Sequence, residues 1–254
     1  MMNSKHEFAV HVPGLSSQLS SKSGSLSLSD TDVVHRIRSV LRLAQGDELM
    51  LFDSTQHAAC SIIEITKKTI SVRIISSDRT ISLQPSITFL LPLLKREALE
   101  RMIYACVELG ATTIQLISTE KSQRSWRSEK ELQRMHAIMI AAAEQSKQFS
   151  LPILQQPIYL QEAIQLHAKD TIKLVADPVG LPLYEVLTQI VQKKSARIVM
   201  TMGPEGDLSD GEKEILRTAS YQAVRLTPTV LRSQQAGALL LGVVRSMVST
   251  DHSR

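Results

Sequence analysis

From the start of the chain to about Asp78, the pattern of hydrophobic and polar positions favours short β-strands. The runs EFAVHV and DELMLFD predict two strands, and SIIEI and ISVRII predict a hairpin around TKKT. The serine-rich segment 16–30 predicts a loop with one short strand. A short helix is expected after Asp30, over VVHRIRSVLRL. Together these elements predict a small β-barrel with one helix.

From Ile87 onward the period changes, and short apolar runs alternate with amphipathic segments. The runs ITFLL, TIQLIS, IKLVA, RIVMTM and AVRL predict five strands separated by helices. Such alternation predicts a parallel sheet covered on both faces. We therefore expect an α/β protein of two domains, 1–80 and 81–254, with the boundary at DRTISLQPS.

Three of the predicted helices have clear ends. One carries Ala98, Met102 and Cys106 at i, i+4 spacing and closes at Gly110. Another begins at Ser128, where Glu131 would complete a capping box. The last runs from about Ser233 to Ser249. Its apolar stripe, widened by Leu239, Val244 and Val248, fits either a dimer interface or packing on the chain's own sheet; it comprises Ala236, Leu240, Val243 and Met247.

The stretch VMTMGPEGDLSDGE, residues 199–212, ends an apolar strand with a tight loop. Pro204 cannot extend a sheet ladder, and Gly203 and Gly206 could adopt positive φ and let a ligand approach the backbone. Ser209 and Glu212 form a capping box that opens the next helix. Open α/β sheets bind ligands at such strand ends. An ordinary βα turn is the alternative.

Composition describes a soluble globular protein, since 43% of its 254 residues are hydrophobic and 21% charged. No apolar run is long enough to span a bilayer, and the N-terminus lacks the apolar core of a signal peptide. Cys60 and Cys106 offer neither a disulfide framework nor a metal spacing. We expect a cytoplasmic protein that binds no membrane and no metal.

Several enzyme classes are excluded by missing motifs. The chain has no G-x-G, no P-loop, no H-E-x-x-H and no G-x-S-x-G elbow. A net charge of +4 and an isoelectric point near 9.1 permit a polyanionic partner. Because only 4% of residues are aromatic, contacts to RNA phosphates would have to supply much of any RNA affinity.

Two further stretches carry candidate binding residues. HRIRSVLR places Arg36, Arg38 and Arg42 on one predicted helix, with Arg38 and Arg42 sharing a face. Phosphate contact and a solvated basic face both fit this pattern. RLTPTVLRSQQAGALLLGVV joins a strand end to a helix rich in small residues, and the amides at that helix start suit an anion or a polar ligand edge.

Taken together, these stretches resemble the ribosomal RNA small subunit methyltransferase E family, the 16S rRNA uridine-N3 methyltransferases. Five collinear segments carry the resemblance: HRIRSVLRLAQGDELMLFD, LLPLLKREALERMIYACVELG, AAEQS, MGPEGDLSDGE and LTPTVLRSQQAG. The resemblance implies a PUA-like RNA-binding barrel followed by a SPOUT-type α/β domain with a C-terminal trefoil knot. It also implies S-adenosyl-L-methionine as cofactor, 16S rRNA or the assembled small ribosomal subunit as substrate, and a homodimer.

The resemblance also implies roles for particular residues. Arg232 would stabilise the developing uridine anion, and Glu205 would be either a base or a residue that orients the loop. The cofactor-binding set it implies is Leu174, Met202, Gly203, Pro204, Glu205, Gly206, Leu226, Val230 and Leu231. The RNA-binding set is Arg36, Arg38, Arg42, Lys95 and Arg124.

The chain departs from the family pattern at Thr227, Thr229, Gln234 and Gln235, at Asp207, where the family has glycine, and at Gln148, where it often has arginine. Two alternatives therefore stay open. One is a SPOUT methyltransferase acting on another RNA position or on ribose 2′-O. The other is a non-catalytic RNA-binding or ribosome-assembly protein of the same fold.

Overall fold

The computed structural model describes residues 8–19, 24–122, 124, 126, 129–167, 170–193 and 197–248. The chain divides into two compact units. The first comprises the residues up to Ile81 together with Ala143–Leu151, and the second comprises Ser82–Ala142 and the residues from Pro152 onward. Among the described residues, no helix is both long and apolar enough to cross a membrane.

The first unit contains a five-stranded sheet with the order β1-β3-β4-β5-β2. Strands β1 and β3 are parallel, and the other pairs are antiparallel. The hairpin predicted around TKKT is confirmed. The elements are β1 Phe8–His11, α1 Leu15–Leu19, β2 Ser25–Leu28, α2 Thr31–His35, a π-helical turn Arg36–Val40, β3 Glu48–Phe52, β4 Gln56–Ile65 and β5 Ile70–Arg79.

One short helix of this unit was not predicted. Segment 16–30 contains the expected strand, β2, but the residues before it form α1, whose Leu15 is fully buried. The prediction of a loop is therefore wrong for residues 16–19. Serine is a weak helix former that favours caps and turns, so the sequence alone gave no helical signal. Burial of Leu15 in the core of the unit supplies stabilisation that propensity does not.

The predicted basic helix ends earlier than expected. It begins at Asp30, whose carboxylate accepts hydrogen bonds from the amides of Asp32 and Val33 at 2.9 and 3.0 Å. The π-helical turn then ends at its C-cap, Leu41, and Arg42 has φ of 56°. Arg42 therefore lies outside the helix. The prediction that Arg38 and Arg42 share one helical face is wrong.

The second unit contains a six-stranded sheet with the order β11-β9-β10-β6-β7-β8, in which every pair is parallel. The α/β architecture predicted from the alternating pattern is confirmed. The elements after β5 are β6 Ser86–Pro92, α3 Arg96–Glu108, β7 Thr113–Ser118, α4 Glu129–Ser146, β8 Ile153–Tyr159, α5 Leu160–Gln165, β9 Ile172–Pro182, α6 Leu183–Lys193, β10 Arg197–Met202, α7 Asp210–Thr218, β11 Gln222–Arg225 and α8 Ser233–Val248.

Strand β8 and helix α5 were missed by the sequence pattern, because Pro152 and Pro157 interrupt the apolar run. The structure accommodates Pro157 in an edge strand, at an irregularity of the β7–β8 pairing between the Gln115–Gln155 and Ile117–Ile158 pairs. Helix α8 begins at Ser233 as predicted. The predicted start of α4 at Ser128 and the predicted end of α8 at Ser249 lie outside the described residues.

Helix α8 packs against the sheet through Gly237, Leu240, Leu241 and Val244, which are buried. The same helix buries Arg245, which donates hydrogen bonds to the carbonyl oxygens of Pro85 at 2.9 Å and Gly110 at 2.7 Å. Burial lowers the pKa of Arg245 to about 10, so the guanidinium remains charged at neutral pH. Arg245 therefore joins the last helix to the start of β6 and the end of α3.

We predict that Arg245→Met lowers the free energy of unfolding by about 2 to 4 kcal/mol, because the buried carbonyl group of Gly110 and the partly buried one of Pro85 lose their charged donor. The matched control is Arg217→Met on α7, where the arginine is exposed and pairs with Glu214. That change should cost much less, because solvent screens an exposed ion pair. Guanidinium chloride unfolding measures both values, and equal losses in the two variants would contradict the role of Arg245.

Candidate functional site

A cavity of about 840 Å³ lies in the second unit where β10 and β11 end. Two loops form a large part of its wall: the loop from β10 to α7, starting at Gly203, and the loop from β11 to α8, residues 226–232. The start of α3 and residues 176–178 of β9 complete it. The cavity thus occupies the strand ends at which open α/β sheets bind ligands.

The β10–α7 loop turns back on itself directly after the strand. The amide of Asp207 donates to the carbonyl oxygen of Pro204 at 3.0 Å. A Cβ atom at Gly203 would lie 2.8 Å from Oδ1 of Asp207 and 3.1 Å from the amide nitrogen of Leu208. A side chain at position 203 would therefore press on the carboxylate of Asp207 and on the backbone of Leu208.

The backbone conformation of this loop differs from the prediction. Neither Gly203 nor Gly206 has positive φ, whereas Asp207 has φ of 61°. The prediction of left-handed glycines in this loop is wrong. Asp207 occupies the position where the family pattern has glycine, and aspartate is one of the few non-glycine residues that tolerates this conformation.

Lys213 holds Asp207 in place. Its ammonium lies 2.7 Å from the carboxylate of Asp207 and 3.3 Å from that of Asp177. Partial burial opposes ionisation of Asp207, but hydrogen bonds from Lys213 and the Leu208 amide outweigh it and lower its pKa. The loop is therefore tied to β9 and α7 through one lysine and two carboxylates.

The carboxylate of Glu205 accepts a hydrogen bond from the amide of Lys95 at 2.9 Å. Lys95 is the N-cap residue of α3, so the negative charge lies at the positive end of that helix. This contact fixes the loop against α3. It matches the loop-orienting alternative for Glu205 that the sequence left open.

Glu212 has a second structural role that the sequence did not indicate. The predicted capping box is confirmed, because the Ser209 amide donates to Glu212 at 2.9 Å and the Glu212 amide donates to the Ser209 hydroxyl at 3.2 Å. The other carboxylate oxygen of Glu212, which is 1% exposed, accepts from the amide of Glu120 at 2.8 Å. One buried carboxylate thus connects the start of α7 to the loop after β7.

The β11–α8 loop places Arg232 directly before the N-terminus of α8. The Thr227 hydroxyl donates to the carbonyl oxygen of Thr229 at 2.6 Å, and Val230 is 81% exposed. The carbonyl oxygen of Arg232 accepts from the amides of Gln235 and Ala236, each at 2.9 Å. The Arg232 guanidinium lines the cavity and makes no hydrogen bond or ion pair to any residue that the structure describes.

The sequence profile of the RNA methyltransferase domain matches residues 82–245 of this chain. This chain belongs to the RNA methyltransferase family. A second profile, the RNA methyltransferase PUA domain, matches residues 28–75. The resemblance to this group of enzymes, stated above from the sequence, is thereby confirmed.

Similar proteins carry names of the same kind. The chain is 27% identical over 238 residues to a ribosomal RNA small subunit methyltransferase E from Mycobacterium bovis, a match that covers 89% of this chain and 88% of the relative. A methyltransferase from Legionella pneumophila, solved with S-adenosylmethionine, is 27% identical, with a TM-score of 0.78 and coverage of 95% and 98%. A ribosomal RNA small subunit methyltransferase E from Neisseria gonorrhoeae shares the fold, with 24% identity, a TM-score of 0.81 and the same coverage.

Most of the residues expected to bind the cofactor lie in the wall of the large cavity. The cavity is lined by Met202, Gly203, Pro204, Glu205, Leu226, Val230 and Leu231. Leu174 does not line it, because its side chain is fully buried in β9. Gly206 does not line it either; a Cβ atom added there would meet Lys121, 3.2 Å from its Cβ.

The expected RNA-binding residues are divided between the two units. In the first unit, Arg36 forms an ion pair with Glu144, whereas Arg38 and Arg42 are exposed. In the second unit, Lys95 lines the cavity, and Arg124 forms an ion pair with Glu131. No three potential metal ligands cluster within the part of the chain that the structure describes.

We predict that Asp207→Gly gives a more stable protein than Asp207→Ala by about 0.5 to 1 kcal/mol, because alanine keeps the cost of a left-handed conformation. Both variants lose the ion pair to Lys213, so the difference between them isolates the backbone term. Urea unfolding measures it. Equal stability of the two variants would contradict strain at position 207.

Proposed function

We propose that this chain is an S-adenosylmethionine-dependent methyltransferase that methylates N3 of a uridine in 16S rRNA. The observation that carries the proposal is the cavity at the strand ends, where Arg232 presents a guanidinium without a partner among the described residues. The family membership and the names of its relatives support the same reaction and substrate class.

The chemistry of the cavity wall fits S-adenosylmethionine. Met202, Leu226 and Leu231 offer apolar surface for an adenine ring. In the β11–α8 loop, the amides of Val230 and Leu231 donate to no other described residue and are free to bind polar groups. Asp177 and Glu205 add carboxylates for the ammonium and hydroxyl groups. When bound, the cofactor supplies a methyl group on a sulfonium.

The chain's own residues then have to align the base and stabilise charge. Methylation would replace the N3 proton of uridine, which is released to solvent, by the methyl group of the bound cofactor, and the cofactor would leave as S-adenosylhomocysteine. N3 lies on the Watson–Crick edge, so the base must be unpaired or flipped at a cost of a few kcal/mol. Arg232 is suited to stabilise the negative charge that develops on the uridine, because its own charge cannot be titrated away.

Glu205 is better placed to orient the loop than to remove the N3 proton. Its Oε1 already accepts from the Lys95 amide, which holds the carboxylate against α3. We therefore assign Glu205 to positioning the loop wall of the cavity. Asp177 and Asp207 are both engaged by Lys213, which argues against either as a free base.

The finer features of the architecture are part of the same proposal. We infer a PUA-like barrel in the domain 1–80 and, in the SPOUT-type domain 81–254, a trefoil knot that includes loops 203–206 and 226–232. The placement of β11 beside β9 rather than β10, together with the family resemblance, supports the knot. A crystal structure tests the knot by showing whether the C-terminal part of the chain passes through a loop formed by the earlier part.

A homodimer is also proposed. Helix α8 buries one face in its own chain, but Leu239 and Met247 remain 37% and 50% exposed, and exposed apolar side chains on one helix suit a second copy. A monomer mass by light scattering would contradict this.

We propose that the first unit holds RNA through the exposed Arg38 and Arg42. We also propose that the enzyme works in the cytoplasm, because its substrate is rRNA.

We predict that Arg232→Ala lowers methyl transfer at uridine N3 at least tenfold, which corresponds to about 1.4 kcal/mol of lost transition-state stabilisation. The assay uses labelled S-adenosylmethionine and small ribosomal subunits that lack the modification. Arg197→Ala is the matched control, because Arg197 starts β10 at the opposite end of the strand and pairs with Asp170. Cofactor binding by the unaltered chain without transfer to RNA or subunits would favour a non-catalytic binder.

A further inference from the structure

A second, smaller cavity of about 250 Å³ lies in the methyltransferase unit between the starts of α3 and α4. Its wall contains four cationic side chains and one carboxylate. The residues are Arg96, Arg124, Lys130, Glu131, Arg134 and Met135. Such an excess of positive charge in a concave site favours an anionic ligand.

Two of these arginines are held in place by one carboxylate outside the cavity wall. Glu100 accepts from Arg134 through both oxygens, at 2.6 and 2.8 Å, and from Nε of Arg96 at 3.0 Å. The hydrogen bonds from Arg134, followed by that from Arg96, lower the pKa of Glu100 to about 2. Each guanidinium therefore has a fixed orientation and keeps terminal N–H groups beyond those that bind Glu100.

Arg124 has a donor that the described residues do not satisfy. Its Nη2 pairs with Glu131, but its Nη1 is buried and has no hydrogen-bond partner among the described residues. A buried charged donor without an acceptor is costly. Lys130, which lines the same cavity, also makes no ion pair or hydrogen bond within the described part of the chain.

We propose that this cavity binds a backbone phosphate of the RNA substrate. Phosphate oxygens would satisfy Nη1 of Arg124 and the ammonium of Lys130, and the planar guanidinium groups suit such an anion. Arg96 lines both this cavity and the large one, so a strand bound here can direct its base toward Arg232. The inference rests on the proposed function, because it assigns a subsite to the same RNA.

The test compares the unaltered chain with the double variant Arg124→Gln/Lys130→Gln. Binding of a labelled single-stranded RNA that contains uridine is measured by fluorescence anisotropy over a series of salt concentrations. The slope of log K against log salt should become shallower by about 0.7 for the lost phosphate contact. The KM for RNA in methyl transfer should rise at least fivefold, and by more than kcat falls.

Two controls separate this effect from general loss of charge or of folding. Arg217→Gln removes an exposed arginine outside both cavity walls and should leave slope and KM unchanged. Lys130→Gln alone breaks no ion pair of the described chain, so it provides a readout even if the double variant has a lowered melting temperature. It should also reduce the slope.

The outcomes distinguish this subsite from the proposed function. Suppose that the unaltered chain methylates RNA and that the folded variants keep its salt slope and its KM for RNA. The proposed subsite is then wrong, and the proposed function stands. The subsite is also wrong if millimolar inorganic phosphate displaces the labelled RNA equally well from the unaltered chain and from the double variant. If the unaltered chain neither binds nor methylates RNA, the proposed function fails and the subsite with it.

Discussion

The close contact at Gly237 is the constraint on which the geometry of the large cavity depends. A Cβ atom at this position would lie 2.8 Å from Sδ of Met202 and 2.9 Å from Cε of Met102. With no side chain at position 237, α8 packs directly against the side chains of Met202 on β10 and Met102 on α3, and any larger residue would require both methionines to shift. Because Met202 ends β10 and Arg232 directly precedes α8, the same contact brings the arginine beside the loop that starts at Gly203.

The departures from the family pattern have local physical explanations. Asp207 takes a left-handed conformation that suits glycine, and Lys213 offsets this cost by pairing with its carboxylate. The first turn of α8 contains no acidic residue, since Gln234 and Gln235 stand where the family pattern has Glu and Thr. The partial positive charge at the N-terminus of α8 is therefore not neutralised in its first turn, and it adds to the positive charge of Arg232. These substitutions are compatible with stabilisation of an anion in the cavity.

The sequence was informative wherever local pattern decides structure. The parallel sheet followed from alternating apolar runs, and the helix starting after Ser209 followed from its capping box. It was uninformative where distant residues meet. The bond from Glu212 to the Glu120 amide joins positions 92 apart, and nothing near Glu205 indicated Lys95 as its partner. The left-handed residue of this loop is Asp207 rather than a glycine of this chain, and Gly203 instead makes a close contact with Asp207 and Leu208.

Calorimetric titration with S-adenosylmethionine tests the central claim, that the loop after β10 forms the cofactor wall, most directly. Gly203→Val should weaken binding at least tenfold, because its side chain would collide with Asp207 and displace the loop. Gly24→Val is the matched control, since a Cβ at Gly24 meets no atom within 4 Å. The account predicts unchanged affinity in the control. Equal affinity in a folded Gly203→Val variant would contradict it.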